Sequence, residues 1–458
     1  MTEILLFFAT VLLGVIEISG LGGLFFWLLF NTGKKRNAHP YDWIDLFPEM
    51  LLTGLIINYG LTLAVNKITV SLPILMILGT IGFALFLREW FKTWQSGHQC
   101  IKFKMNQVFI IASLIIILIP IMLLPLREWD ARSIWFFHAK MIYSANSIGV
   151  NAGWLEPQIA FSHPDYPNLI PALAAQITTL FGFWNEYLPK LSLFFVFFPI
   201  PFMLFRYKHH LVNFIFLTLI MLLPANALLW SGYMDGYFAI YFAFSILFFS
   251  RFIISLKEVD LISFAVCLIF LLYLKNEGML TLICGVLLVV VYLFTFKRPL
   301  RDLKIFTRFP FISFMAGLLF PIIYWSGLKA SWNLQNDLQL GSFESIKLFI
   351  ERLQDGTLRL LLKQAFFQIC FALMALLVIL LFVQIKKIYI PKQFFLVLLF
   401  PFLYALGIIS VYLLTPYDIV WHLTTSISRT FLAVNYGFWI AGYILIENGL
   451  NWSGTEEL

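Results

Sequence analysis

Two aspartates and a few cations carry the chemistry that this 458-residue chain could perform. Asp130 stands a few residues past an apolar run ending at Pro125, in Arg127-Glu128-Trp129-Asp130-Ala131. A carboxylate held at a water–lipid boundary, within reach of an acceptor hydroxyl, can act as a general base. The blander reading of the same position is an N-cap, because Asp is favoured there and a helical pattern follows. The readings are compatible, since a cap also fixes the carboxylate's direction. Asp235 lies in Trp230-Ser231-Gly232-Tyr233-Met234-Asp235-Gly236, where both glycines suit a turn and Asp is a turn former. At the depth of Asp130 it could divide the work of base and orienting group, or the two acids could share a divalent cation. A pair of carboxylates is a weak metal signal, so no cofactor is required and a divalent metal stays open.

The cations follow. Lys275-Asn276-Glu277-Gly278 separates two apolar runs directly. Near a span end Lys usually snorkels, and Lys beside Glu reads as a local ion pair; an ammonium there could also neutralise a phosphate. A later segment, Thr415 to Arg429, holds His422, Arg429 and several hydroxyls. Arg grips phosphate oxygens through its planar fork, although an interfacial Arg–Trp anchor is the plainer account. Glu17 falls inside the first apolar run, where an acid is a functional candidate by default. Its distance in sequence from the other clusters favours a hydrogen bond to a neighbouring helix.

Composition defines the elements that must position these groups. The chain is 61% hydrophobic and only 12% charged, against roughly 25% charged in soluble proteins. Its mean hydropathy is +0.89. These values describe a polytopic membrane protein. Fifty-one Phe and fourteen Trp suit lipid-facing surfaces and interfacial belts. The net charge of +7 is met by basic loops on one side of a bilayer and does not argue for nucleic acid. Cys100, Cys267, Cys284 and Cys370 show no metal spacing and predict no disulfide framework. The first run lacks a basic leader and is too long for a cleavable signal.

Apolar runs long enough to span are predicted at 4–30, 50–65, 69–87, 108–125, 188–205, 211–230, 237–255, 260–274, 278–296, 309–328, 362–385, 394–414 and 431–446. The fold class is therefore all-α, with about thirteen transmembrane helices. A further candidate at 168–183 is read as a juxtamembrane or re-entrant helix. With it left out, alternate loops gather Lys34-Lys35-Arg36, Arg88, Lys92, Lys102, Lys104, Arg206, Lys208, Lys257, the 297–308 cluster and Lys386, Lys387 and Lys392. The opposite short loops hold only Lys67, Lys275 and Arg429. The positive-inside rule then puts loops 126–187, 231–236, 275–277, 329–361 and 415–430 on one extracytoplasmic face, with the N-terminus outside. Nearly every unusual polar cluster shares that face. Residues 1–107 read as an N-terminal three-helix membrane segment, and 108–458 as the module carrying the site.

Two loops hold amphipathic patterns. In the first, Ile134, Phe137, Met141 and Ile142 oppose Arg132, Ser133 and Lys140; in the second, Phe343, Ile346, Ile350 and Leu353 oppose Glu344, Lys347 and Glu351. Both predict juxtamembrane helices lying flat at the interface. Each could hold a lipid-borne substrate or serve as a packing strut. The aromatic content of the first loop predicts a folded cap rather than disorder.

Taken in order, these residues resemble the GT-C superfamily, multi-span glycosyltransferases that use polyprenyl-phosphate-linked sugars. The protein O-mannosyltransferases and the aminoarabinose transferase of lipid A are members. The similarity runs through Trp129-Asp130-Ala131, then His163-Pro164-Asp165-Tyr166-Pro167 in a long loop. It continues with Asp235 in its Gly/Tyr turn, Leu274-Lys275-Asn276-Glu277-Gly278, and Trp421-His422 with Arg429. It covers the chain from about 108 onward, and three spans before the acid loop depart from the simplest pattern. The resemblance implies inverting transfer in a bacterial cytoplasmic membrane, on the outer face, from a polyprenyl-phosphate sugar to a hydroxyl acceptor on a glycan, lipid or protein. Asp130 would be the base and Asp235 its support; Arg429, Lys275 and His422 would offset charge on the leaving phosphate. Asn276, Glu277, His163, Asp165 and Tyr166 would support them. The rival readings are a transporter or flippase, which would place charges deep in several spans, and a polysaccharide polymerase or ligase.

Overall fold

Inside a bilayer no water satisfies the backbone, so a long apolar run must close its hydrogen bonds within itself, as a helix does. The computed structural model follows that rule. It describes residues 2–31, 43, 45–95, 105–207, 211–296, 309–334, 342–388, 390 and 392–452, and among them the chain is all-α. The basic residues Lys34, Lys35, Arg36, Lys102, Lys104, Lys208 and the 297–308 cluster lie outside the described residues, as does Cys100. In chain order the helices are α1 (Thr2–Asn31), α2 (Phe47–Val65), α3 (Ile68–Gln95), α4 (Met105–Leu123), α5 (Phe136–Ala145) and α6 (Leu169–Phe181). There follow α7 (Leu191–Phe197), α8 (Pro199–Tyr207), α9 (Leu211–Leu222), α10 (Asn226–Trp230), α11 (Asp235–Ser255), α12 (Glu258–Leu274) and α13 (Gly278–Thr295). The last are α14 (Phe309–Ser331), α15 (Phe343–Gln354), α16 (Thr357–Ile385), α17 (Phe394–Leu414), α18 (Ile419–Thr430) and α19 (Leu432–Trp452).

Ten helices among the described residues are long and apolar enough to cross a membrane. The chain is an all-α polytopic membrane protein. The predicted span at 211–230 is split into α9 and α10 around Pro224, and the run at 260–274 becomes the 17-residue α12. The run at 108–125 forms a short apolar helix, Gln107–Leu123. The left-out candidate, α6, has 13 residues. At about 1.5 Å per residue it is too short for a hydrocarbon core of about 30 Å. Leu169 to Thr178 are buried throughout, so α6 is an interior helix rather than a surface one.

The chain divides into two compact units, the first joining Met1–Tyr237, Leu272–Lys275 and Leu300–Leu334, the second Phe238–Leu271, Asn276–Pro299 and Gln335–Leu458. Residues 1–107 and the opening loop therefore share a unit. In that unit α1 packs on α2 and α3 through small residues that let backbones touch. A Cβ on Gly20 would stand 1.8 Å from the Gly79 carbonyl oxygen, and one on Gly82 1.9 Å from the Gly20 oxygen. The Asn58 amide donates to Glu17 Oε1 at 2.6 Å, so the acid inside α1 is answered by α2, as expected. At the N-terminal end of α2, Arg206 meets Glu49 at 2.7 Å and donates to the Asp45 carbonyl. At its other end Asn66, in the left-handed region, accepts from the Gly149 N–H and the Ser147 hydroxyl. The α2–α3 turn and the opening loop thus lie at one end of α2, and the end of α8 lies at the other.

In the second unit α16 and α17 pack on α19, and α13 and α15 pack on α17. Arg251 pairs with Asp260 at 3.2 Å between the end of α11 and the start of α12.

Candidate functional site

The Asp130 segment begins as a helix and then widens. The Phe136 N–H reaches back to the Ala131 carbonyl, a five-residue step that makes a π-turn of Ala131–Trp135 before α5. Such turns are frequent at functional sites. Asp130 is half-buried at its start, with helical φ −59° and ψ −35°, and its side chain makes no cap bond. The expected N-cap is therefore corrected: the residue already lies inside the helical spiral, where a carboxylate cannot fold back onto N2 or N3. The amphipathic pattern is corrected too. Arg132 and Lys140 are exposed as expected, but Ser133 is buried, its hydroxyl bonded to the Trp129 carbonyl. Trp135, Phe136, His138 and Ala139 join Ile134 and Ile142 inside. The segment is a packed strut, not a helix floating on lipid.

His138 fixes it there. Its Nδ1 is 3.2 Å from Asn168 Oδ1, its Nε2 is 3.1 Å from Ser162 Oγ, and its ring meets Trp154 edge-on. Burial pushes the imidazole down to about 3, so it is neutral near pH 7. The His163–Pro167 cluster also packs on the π-turn: His163 stacks on Tyr166, and Tyr166 on Trp135. His163 holds a left-handed backbone (φ 55°). Asp165 is buried, and its carbonyl accepts from Lys329 at 2.9 Å. The opening loop is thus a folded cap, as its aromatic content predicted.

The turn before Asp235 lies against the same segment. Gly232 has φ +91°, and a Cβ there would stand 2.6 Å from the Ala131 Cβ and 3.3 Å from the Phe136 ring. Only glycine satisfies both the backbone and the contact. Gly236 has a different duty from the turn role expected: it is the second residue of α11, and a Cβ would crowd Leu228 at 2.9 Å. Next to it, the Tyr237 hydroxyl donates to the Leu193 and Leu229 carbonyls, which fixes the first turn of α11. Asp235 is buried there, and Lys275 Nζ lies 2.9 Å from its Oδ1. Lys275 thus pairs with an acid 40 residues away in sequence. Tyr273, two residues earlier, bonds to the Leu318 carbonyl and lies edge-on to Tyr59.

Sequence reasoning passed over Lys190, which is buried and donates to the Leu124 carbonyl with its ammonium 4.8 Å from the Tyr187 ring. A cation at those last carbonyls favours ending α4 there, just ahead of Asp130. No local signal marks it, since it reads as a flanking Lys at the head of an apolar run.

The other predicted residues belong to the second unit. Asn276 and Glu277 are half-buried at the head of α13. The expected 415–430 loop is largely a helix, α18, capped by Asp418, whose carboxylate accepts from the Trp421 N–H at 2.8 Å. His422 sits among Tyr412, Tyr417 and Trp421, with ring centroids 4.7, 5.7 and 6.3 Å away. Arg429, two turns on, is half-buried, and its guanidinium donates to the Thr425 carbonyl at 3.3 Å. His422 and Arg429 share a helical face by their spacing.

Among the described residues no group of three or more His, Cys, Asp and Glu could hold a metal ion. Asp235 gives one oxygen to Lys275, which leaves it a poorer donor for the divalent cation considered above. Chemically, the first unit presents a half-buried carboxylate, Asp130, and a buried carboxylate–ammonium pair whose turn packs on the segment that follows Asp130. Compared with protein-family models, with curated proteins and with solved structures, the chain finds no match.

Proposed function

We propose that this chain is an integral membrane glycosyltransferase of the GT-C type, moving a sugar from a polyprenyl-phosphate donor to a hydroxyl acceptor. The observation that carries the reading is the packing of the Gly232 turn onto Ala131 and Phe136, which gathers the Asp130 and Asp235 segments at the head of their helices. In the proposed reaction Asp130 takes the proton from the acceptor hydroxyl, the oxygen attacks the anomeric carbon, and the lipid phosphate leaves with inversion. A general base is worth about 10²–10⁴-fold in rate. Asp235 directs Lys275, whose ammonium is offered to an anionic leaving group. On α18, Arg429 offers a planar fork to phosphate oxygens, with His422 on the same face. The site faces the outside of a bacterial cytoplasmic membrane in this reading.

A transporter would need charges deep in several spans. Among the described residues Glu49, Arg206, Arg251 and Asp260 pair near helix ends, and Glu17 lies in the middle of α1. That distribution favours surface chemistry over a transport path. The test is reconstitution of the full chain in liposomes with a panel of polyprenyl-phosphate sugars, read by release of free polyprenyl phosphate, alongside mass analysis of envelope glycans from a strain lacking the chain. Donor turnover together with loss of one sugar from a glycan is expected. Movement of intact lipid-linked sugar across the bilayer without its cleavage would replace this reading with the flippase.

A further inference from the structure

We propose that α15 lies in the membrane–water boundary with its apolar stripe in the acyl region of the bilayer, and that Arg352 uses this helix to set the depth of α18. The inference does not depend on the glycosyltransferase reading. Ser342 caps α15, its hydroxyl accepting from the Ser345 N–H. Phe343, Ile346, Ile350 and Leu353 fall on one face of the helix, and they are 80%, 49%, 52% and 44% exposed. The buried residues of α15 are Ser345 and Arg352, with Leu348 and Phe349 half-buried on the same side, so the helix is held by that side and leaves the Phe343–Leu353 stripe exposed. That is the reverse of a packing strut.

The occupant follows from continuity. Only Asp355 and Gly356 separate α15 from α16, a 29-residue candidate span. Leu360, Leu362, Phe366 and Phe367 at the head of α16 are exposed as well, so the stripe runs onto a surface that must face lipid. Arg352 locks the helix at that level. Its guanidinium donates to the carbonyls of Tyr412, Leu413, Thr415 and Tyr417, at the end of α17 and in the link to α18. Charge identifies the kind of lipid contact. The exposed polar face carries Glu344, Lys347 and Glu351, with Lys347 and Glu351 3.9 Å apart, while Arg352 is spent on carbonyls. The exposed face of α15 itself carries more acid than base, so the insertion of this helix rests on apolar burial, while Arg359 and Lys363 are exposed at the head of α16.

The experiment places single spin labels at 346, 350, 353, 347 and 351 in the full chain in lipid nanodiscs, after Cys100→Ser and Cys370→Ser. Labels at 346, 350 and 353 should relax mainly with oxygen dissolved in lipid, and those at 347 and 351 with an aqueous nickel complex. Replacing anionic lipid by zwitterionic lipid should leave the pattern unchanged. Aqueous access at 346 and 350 equal to that at 347 would overturn the proposal. So would exclusion of both reagents at 346 and 350, which would mean that another protein segment or a second copy covers the stripe. A pattern that fades without anionic lipid would overturn the apolar basis. For the link to α18, Arg352→Met should leave a label at 350 in lipid while one at Val420 changes depth; an unmoved Val420 label would refute the coupling.

Discussion

The two amphipathic segments, 131–145 and 343–354, share a pattern in sequence and part ways in structure. The first buries Ile134, Trp135, Phe136, Ala139 and Ile142 around a neutral histidine, and shows water only Arg132, Lys140 and their neighbours. The second leaves its apolar stripe exposed and buries an arginine. The difference lies in the polar residue that each segment takes inside. His138 has two side-chain partners in the cap, Asn168 and Ser162, so the helix must lie within the cap to satisfy it. Arg352 has only backbone carbonyls at the end of a span, which it can reach from outside the helical bundle. Amphipathic spacing says that a helix has two faces. The buried polar partner says which face meets protein.

The comparison can be broken most sharply with paired truncations. Ile142→Ala removes a fully buried side chain and should cost about 2–5 kcal/mol, cavity included. Ile350→Ala should stay within about 0.5 kcal/mol in detergent, as surface changes do. Thermal unfolding of both variants in one detergent decides it, and equal losses would erase the distinction. Arg352→Met comes next, because several carbonyls lose their donor and each buried group left unpaired costs about 1–3 kcal/mol. A melting temperature unchanged from wild type would show that water replaces the guanidinium at no cost.

Acidity gives a third test. The folded chain holds His138 down to about 3, against an ordinary value of 6.5 when unfolded, so the unfolded state binds more protons between these limits. Stability from this group is complete above about pH 6.5 and is lost as pH falls toward 3, by at most about 1.4 kcal/mol per pH unit. His138→Gln keeps a neutral hydrogen-bonding side chain and should flatten that window in a pH series of unfolding midpoints. A wild-type slope that survives in the variant would assign it to other groups. The smallest effect concerns the cap of α15: Ser342→Ala should cost about 0.5–2 kcal/mol of helix stability, seen as faster amide exchange at Phe343 to Ser345 with α5 unaffected.

Much of this was legible in the sequence, for physical reasons. Apolar runs must be helical, so the all-α fold followed from composition. The Asn58 answer to Glu17 followed from the cost of an unpaired intramembrane acid. What was not legible depends on contacts between distant residues. Lys275 finds Asp235 and Arg206 finds Glu49 across long separations that no local pattern records. Of the thirteen predicted runs, the one at 211–230 is broken at Pro224, which hydropathy does not register, and those at 108–125 and 260–274 form shorter helices, Gln107–Leu123 and the 17-residue α12. The π-turn after Asp130 left no trace in residue type. Gly232 did signal a turn, but not that the turn would lie on Ala131.

The claim that the Asp130 carboxylate is the base is tested most directly by Asp130→Asn in the reconstituted full chain. Because Asp130 makes no cap bond, the amide replaces it without removing a helix contact of that kind. The variant should fold, bind the polyprenyl-phosphate donor as wild type does, and transfer sugar about 10²–10⁴-fold more slowly. A folded Asp130→Asn chain that transfers sugar at the wild-type rate would contradict the account.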